Sequence, residues 1–356
     1  MTEYASSKGK GFLSEEILKS EILKYYGLEK GYITQIKFKD TEKQRAVYKI
    51  ESKDELYCLK KVYYSTPDLR FIYSALEWFY RNNIKVPRLL STKEGGRYVE
   101  YKDMLFILTP WIEGEKCSYD NIEHIMEASY NLARMHKVGL NFTPIIGSSN
   151  RCQMDSLHSS IEKHYESILH CSNQAFNLRD KFSKVFLDHY ETNITMASIA
   201  LDVASTINTD NLTISLCHLD YVNKNMLFDT SGKLWVIDFD KCSKDYCAHD
   251  ISYFLRRLLK RNNTRWDIAV ALDSLNAYSS IHPLTVDDMK FIFVYLSFPQ
   301  KYWKISRDYY NNIKKCNKAA FLSLLNKAVE GDVYQLTFLQ EFKKVLSQRY
   351  KIQLNY

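Results

Sequence analysis

Glycine and proline are scarce, 11 and 6 in 356 residues, which leaves no room for a collagenous or long disordered segment. The eight cysteines (58, 117, 152, 171, 217, 242, 247 and 316) contain no Cys-x-x-Cys pair. Several lie in apolar runs, where a free thiol behaves as a small hydrophobe. No apolar run approaches the roughly 18 residues of a membrane span, and no signal peptide opens the sequence. The expectation is a cytosolic, reduced chain with no membrane partner. No nucleic-acid-binding motif is present either. The net charge is +7, but Lys and Arg are spread among nearly as many acids. That is only a weak pointer to anionic partners, among which a nucleotide counts. His158, His164 and His170 are six residues apart, about 120° per step on a helix of roughly 3.6 residues per turn, so they do not converge on a metal.

What is present is globular. The chain is 46% hydrophobic and 26% charged, and its length exceeds what one core usually organises, so two lobes are expected. Residues 1–12 read as a frayed start. Ser14 then caps a helix to about Leu28, with Ile17, Leu18, Ile22 and Leu23 at helical spacing. From Tyr32 to Val62 come three strand-like runs, YITQIKF, RAVYKIE and ELYCLKKV. The first connection, KFKDTEKQR, has no glycine, hence no Gly-rich flap to close over phosphates. A helix starts at Pro67 and runs to about Asn82, with Leu69, Ile72, Tyr73, Leu76 and Tyr80 inward and Glu77 at the edge of that stripe. Phe106 to Gly114 reads as a buried strand entering a linker. Beyond it the period is helical: Asn121–Val138, Met154–Cys171, Leu178–Tyr190, Asn193–Ser205, and most of the last hundred residues. There is no internal repeat.

The stretch Cys217 to Asp240, CHLDYVNKNMLFDTSGKLWVIDFD, organises the rest. A short strand ends at His218, a loop holds Asp220, and two apolar runs around Thr230-Ser231-Gly232 make a β-hairpin. With a two-residue Ser231-Gly232 loop Asn225 lies opposite Asp238; a three-residue loop shifts the register by one. Two hard oxygen donors side by side suit Mg²⁺, which takes one or two carboxylates together with phosphate oxygens. Asp220 is left to orient a hydroxyl. Positioning and charge neutralisation of this kind are what phosphoryl transfer requires.

His218-x-Asp220, Asn225 and Ile237-Asp238-Phe239 resemble the signature of aminoglycoside and choline phosphotransferases, relatives of protein kinases. Asp240 stands where protein kinases have Gly, as is common in that branch; Leu219 departs from its usual Gly. The resemblance implies an α+β, two-lobed protein-kinase-like fold. Its small β-rich lobe would span residues 1–108, a hinge 109–115, and a mainly helical lobe 116–356 would carry the hairpin 217–240. It also implies ATP or another NTP with Mg²⁺ as cofactors. Lys60 would hold the phosphates, with Lys61 toward solvent unless a bulge reverses the frame. Glu77 would pair with Lys60 or remain a solvated glutamate. Thr109, Trp111 and Ile112 would present hinge backbone to adenine, Asn225 and Asp238 would hold the metal, and His218 and Asp240 would support the site. Asp250 would brace the catalytic loop or act as a plain helix cap. Leu108–Gly114 (LTPWIEG), Leu132–Lys137 (LARMHK), the Cys-His-Leu-Asp loop and Phe298–Lys304 (FPQKYWK) together resemble the CotS family of spore coat proteins. That implies synthesis in the mother cell, deposition in the spore coat, and other coat proteins as candidate partners.

Two functional classes follow. One is an ATP-dependent phosphotransferase acting on a hydroxyl or amine of an unidentified small molecule, favoured by intact Asp220, Asn225 and Asp238. The other is a structural coat component with a weak or inactive kinase fold, favoured by the glycine-free loop. A protein Ser/Thr kinase is the weaker third, because no Ala-Pro-Glu element or activation segment lies between Asp238 and Asp250.

Overall fold

The computed structural model describes residues 13–39 and 45–352. Residues 1–12, where a frayed start was expected, and positions 40–44 of the glycine-free connection lie outside the described residues. In chain order the elements are α1 (Glu15–Ile17), β1 (Tyr32–Lys39), β2 (Arg45–Ser52), β3 (Glu55–Val62), α2 (Thr66–Arg81), β4 (Val99–Tyr101), β5 (Met104–Pro110) and β6 (Glu115–Lys116). Then come α3 (Ile122–Gly139), α4 (Leu157–Leu178), α5 (Lys181–Asp188), α6 (Tyr190–Ala204), β7 (Ile214–Cys217), β8 (Met226–Phe228), β9 (Leu234–Val236) and β10 (Ser243–Tyr246). The remainder is helical: α7 (Cys247–Leu259), α8 (Ile268–Ser279), α9 (Val286–Ser297), α10 (Gln300–Asn311), α11 (Lys318–Val329) and α12 (Asp332–Tyr350).

Two compact units result. One comprises Met1–Lys116, Phe142–Arg151 and Lys224–Asp240, the other Cys117–Asn141, Cys152–Asn223 and Lys241–Tyr356. The stretch 217–240, expected as one piece in the helical lobe, is divided between them after Asn223.

The first unit is built on an antiparallel sheet of order β1-β2-β3-β5-β4. Two tight hairpins set its register. Lys53 and Asp54 (φ 52° and 62°), and Lys102 and Asp103 (φ 48° and 60°), take the left-handed pair of conformations that matches strand twist. One face is covered by the segment after Ser14, whose hydroxyl accepts the Ile17 amide; Leu18, Ile22 and Leu23 pack on Tyr48, Ile50, Leu59 and Phe106. Helix α2 opens with Ser65 accepting the Asp68 amide and Pro67 in its first turn. Its buried stripe is wider than the spacing predicts: Phe71, Ala75 and Phe79 join Leu69, Ile72 and Leu76, and Tyr80 turns out to solvent. Phe79 is drawn in by Phe239, with ring centroids 5.7 Å apart. Strands β6, β8 and β9 form a second sheet in this unit.

The second unit is a helical assembly with one short ribbon, β7 paired antiparallel to β10. Helix starts follow their caps: Asn121 for α3, Ser156 for α4 and Asp180 for α5. They displace the expected bounds by a few residues. Strand β10 was not legible in the polar run after Asp240, because Ser243 and Asp245 are buried through hydrogen bonds and strand pairing rather than apolar character. Among the described residues, no helix is long and apolar enough to cross a membrane.

Candidate active site

In the first unit, strand β3 runs without a bulge between β2 and β5, so Val47, Lys60 and Ile107 form one row across three strands. Lys60 therefore stands on the open face of the sheet with Cys58, two residues before it. Lys61 lies on the covered face. It was expected in solvent but is 8% exposed, and burial lowers its pKa.

The Lys60 ammonium donates to Oδ1 of Asp238 and of Asp240, each at 2.6 Å. Burial opposes its charge, but the two carboxylates outweigh that and hold its pKa above the usual lysine value. The expected partner, Glu77, is elsewhere: its carboxylate accepts Nε and Nη2 of Arg88 at 2.9 and 2.7 Å. A two-pronged guanidinium fits a carboxylate better than a single ammonium does, and Lys60 is already supplied by two acids. Sequence reasoning gave Asp240 only a supporting place. It also missed Arg151, whose Nη2 donates to the Asp240 carbonyl at 2.6 Å.

The hairpin carries the other donors. Its register is one step from the two-residue-loop expectation: Met226 faces Val236, Leu227 faces Trp235 and Phe228 faces Leu234. Asn225 therefore receives the Ile237 amide at its carbonyl, 2.9 Å, rather than standing opposite Asp238. Asp229 causes the shift. Its Oδ1 accepts the amides of Ser231 and Lys233 and the Ser231 hydroxyl, closing a three-residue loop with Gly232 at φ 74°. Asp238 follows in a left-handed conformation, φ 68°, which Asp tolerates better than most residues.

These groups share a cleft of about 420 Å³ within the unit. Lys60, Asn225, Asp238 and Asp240 line it, as do Lys37, Lys116 and Lys224, and Val47, Cys58, Leu89, Ile107, Leu227 and Ile237 give apolar walls. Thr109, Trp111 and Ile112 also line it. The Trp111 amide, expected to be open to a base, donates to the Leu56 carbonyl at 2.9 Å, one residue beyond the last β3–β5 pair, Tyr57 with Pro110.

The second unit holds Asp220. The amides of His218 and Leu219 donate to the two oxygens of Asp250, at 2.7 and 3.0 Å. Asp250 is thus a brace inside α7, whose capping position is Tyr246. Burial would raise the Asp250 pKa, but the hydrogen bond and charge of His136 and the His218 contacts outweigh it and hold the carboxyl below its ordinary value. His136 Nδ1 shares a 2.6 Å hydrogen bond with the Tyr278 hydroxyl, and Nε2 lies 3.3 Å from Asp250. Leu219 takes φ 58°, which explains why a glycine is the easier residue there. The Asp220 amide donates to His218 Nδ1 at 3.2 Å. Its carboxylate is approached by Lys241 at 3.5 Å and by the Tyr253 hydroxyl at 3.4 Å. Neither partner had been singled out, since each is an ordinary residue in sequence.

The fold is that of the kinase-like small-molecule phosphotransferases. An aminoglycoside phosphotransferase from Alicyclobacillus acidocaldarius is similar at TM-score 0.74 with 19% identity, covering 85% of this chain and 90% of that one. Spectinomycin phosphotransferase, solved with ADP and spectinomycin, gives TM-score 0.57 and 16% identity over 90% and 93% of the two chains. An amicoumacin kinase solved with AMP-PNP and Ca²⁺ gives 0.57 and 14%, over 90% and 92%. Within that class, the family model described as "Spore coat putative kinase YutH" matches residues 27–342, and the chain belongs to this family. Spore coat protein S of Bacillus subtilis (strain 168) is 20% identical over 308 residues, 85% of this chain and 86% of the relative.

Proposed function

We propose that this chain is a spore-coat-associated phosphotransferase that uses ATP and Mg²⁺ to phosphorylate a hydroxyl or amine of a small molecule. One observation carries the reading: a lysine held by two carboxylates lines a cleft with apolar walls that Asn225 also lines. The walls suit a nucleoside base and the polar groups suit its phosphates. Asn225 and Asp238 offer the hard oxygen donors that fit Mg²⁺. When bound, the ion would neutralise phosphate charge and steady the leaving group.

The chain's own groups have distinct tasks. Lys60 exchanges a carboxylate contact for the α- and β-phosphates. Asp220 orients the acceptor hydroxyl and takes its proton as the acceptor oxygen bonds to the γ-phosphorus. The bond to the β-phosphate oxygen breaks, and ADP leaves with that electron pair. Asp250 holds the loop in place through two amides. The ADP and AMP-PNP seen in two structural relatives support nucleotide binding, and the family supports association with the coat.

ADP formation from MgATP tests the reading. Wild type is expected to turn over, with a fall of about 100-fold or more in Asp220→Ala, the range for loss of a general base. Equal rates in the two proteins would remove Asp220 from the reaction. The second reading, a coat component with a weak or inactive site, is favoured by one feature, the saturation of Lys60 by two acids at 2.6 Å. It predicts no MgATP turnover in either protein.

A further inference from the structure

The surroundings of Asp220 in the second unit are basic. Besides Lys241 at 3.5 Å, a relay leads to a guanidinium: Arg257 Nη2 donates to the Tyr253 hydroxyl at 2.9 Å, and that hydroxyl donates to Asp220 at 3.4 Å. Arg257 is exposed and lies over the Tyr253 ring, 5.2 Å from its centroid. One residue earlier on α7, Arg256 stacks on Tyr295 at 4.0 Å and donates to its hydroxyl at 2.7 Å.

Further along, burial and the like charges of Arg256 and Lys301 pull Lys260 down to a pKa of about 7. A lysine crowded in this way gains when an anion arrives. Asp120 accepts from Arg261 at 3.0 Å and from Asn263 at 2.8 Å, while Asp332 accepts from Asn193 and offsets part of the crowding by facing Lys260 with its charge. A protonated amine brought to Asp220 would meet this excess of cations. An oxyanion would meet donors already oriented by Tyr253 and Tyr295.

We propose that the acceptor is an anionic alcohol or amine, a compound whose reactive group is presented to Asp220 while its own phosphate or carboxylate is held by Arg257, with Lys241 adding charge. The inference rests on the phosphotransferase reading and names the substrate class for that site. The cationic acceptor class, represented by amino alcohols, is the alternative that it excludes. A guanidinium engages a phosphate or carboxylate through two donors.

Calorimetric titration of the full chain at low salt tests this with four probes: glycerol 3-phosphate, glycerate, glycerol and ethanolamine. The two anionic probes are expected to bind at least tenfold more tightly than glycerol or ethanolamine, with affinity falling as salt is raised. Arg257→Gln should weaken the anionic probes at least tenfold, and Arg257→Lys should restore part of the loss. Glycerol 3-phosphate ahead of glycerate marks the group as phosphate, and the reverse order marks it as carboxylate. Ethanolamine binding as tightly as the anions, no anion binding to wild type, or unchanged anion affinity in Arg257→Gln would each overturn the proposal. MgADP titrated into the same samples keeps the two readings apart. Its failure to bind counts against the nucleotide half alone, while the anion result still decides the acceptor class.

Discussion

Lys60 shows most directly how one side chain ties the site together. Its ammonium bridges Asp238 and Asp240 at 2.6 Å each, so its removal leaves two carboxylates facing each other with little water. Lys60→Met is expected to cost on the order of 2–3 kcal/mol, toward the low end for breaking a buried pair because Asp238 keeps some solvent contact; a urea melt measures it. A loss below about 0.5 kcal/mol would show that the bridge carries no stability. Leu219 sets two effects against each other. Its φ of 58° costs about 1–2 kcal/mol for a side chain, and its burial returns about 2 kcal/mol. Leu219→Gly is therefore expected within about 1 kcal/mol of wild type, and Leu219→Ala, which keeps the strain and loses the burial, to be the less stable of the two in the same melts. At this scale the sequence singled out Lys60, Asn225 and Asp238, and all three line one cleft. It could not name the partner of Glu77, because the choice between Lys60 and Arg88 depends on where Asp240 points.

The elements explain why some expectations shifted. Strand β3, helix α2 and the hairpin were legible because apolar period and turn residues agree there. The hairpin register was one step off because an Asp229 side chain, and not the backbone alone, sets the loop. Strand β10 hid because buried Ser243 and Asp245 read as a loop.

The brace between α7 and the Asp220 loop makes the clearest prediction about an element. Folded Asp250 titrates below its ordinary value, so it adds stability above the unfolded carboxyl pKa of about 3.9, and that stability is lost as pH falls through the folded value. For His136, burial is outweighed by Cys247 and Asp250, and its pKa is raised to about 10. The unfolded imidazole value is about 6.5. Its contribution is therefore complete below about 6.5 and is lost as pH rises through the folded value. Asp250→Asn should cost about 3 kcal/mol near pH 6 and flatten both limbs of the stability profile between pH 3 and 10. An unchanged profile would show that the pair does not hold the loop.

For the whole molecule, a length too great for one core and a switch from strand to helical period after Gly114 implied two bodies, and the described chain has two compact units. What the sequence could not show is that Lys224–Asp240 groups with the β-rich unit while Asp220 groups with the helical one. That division follows from β8 pairing with β6, a contact without a local sequence signal. The grouping places Lys60, Asn225, Asp238 and Asp240 in a single unit, so nucleotide is expected to stabilise that unit first. At a free concentration of about 100 times Kd, linkage gives about 2.7 kcal/mol, readable as a selective shift of one calorimetric transition or one set of exchanging amides. Protection spread evenly over the helical unit would contradict the assignment.

The most direct test of the central claim is a calorimetric titration of the purified chain with MgATP beside an Asp238→Ala variant. Binding in wild type that requires Mg²⁺ and is lost or weakened at least tenfold in the variant is the predicted result. No binding at millimolar nucleotide, or equal binding by the two proteins with and without Mg²⁺, would contradict it.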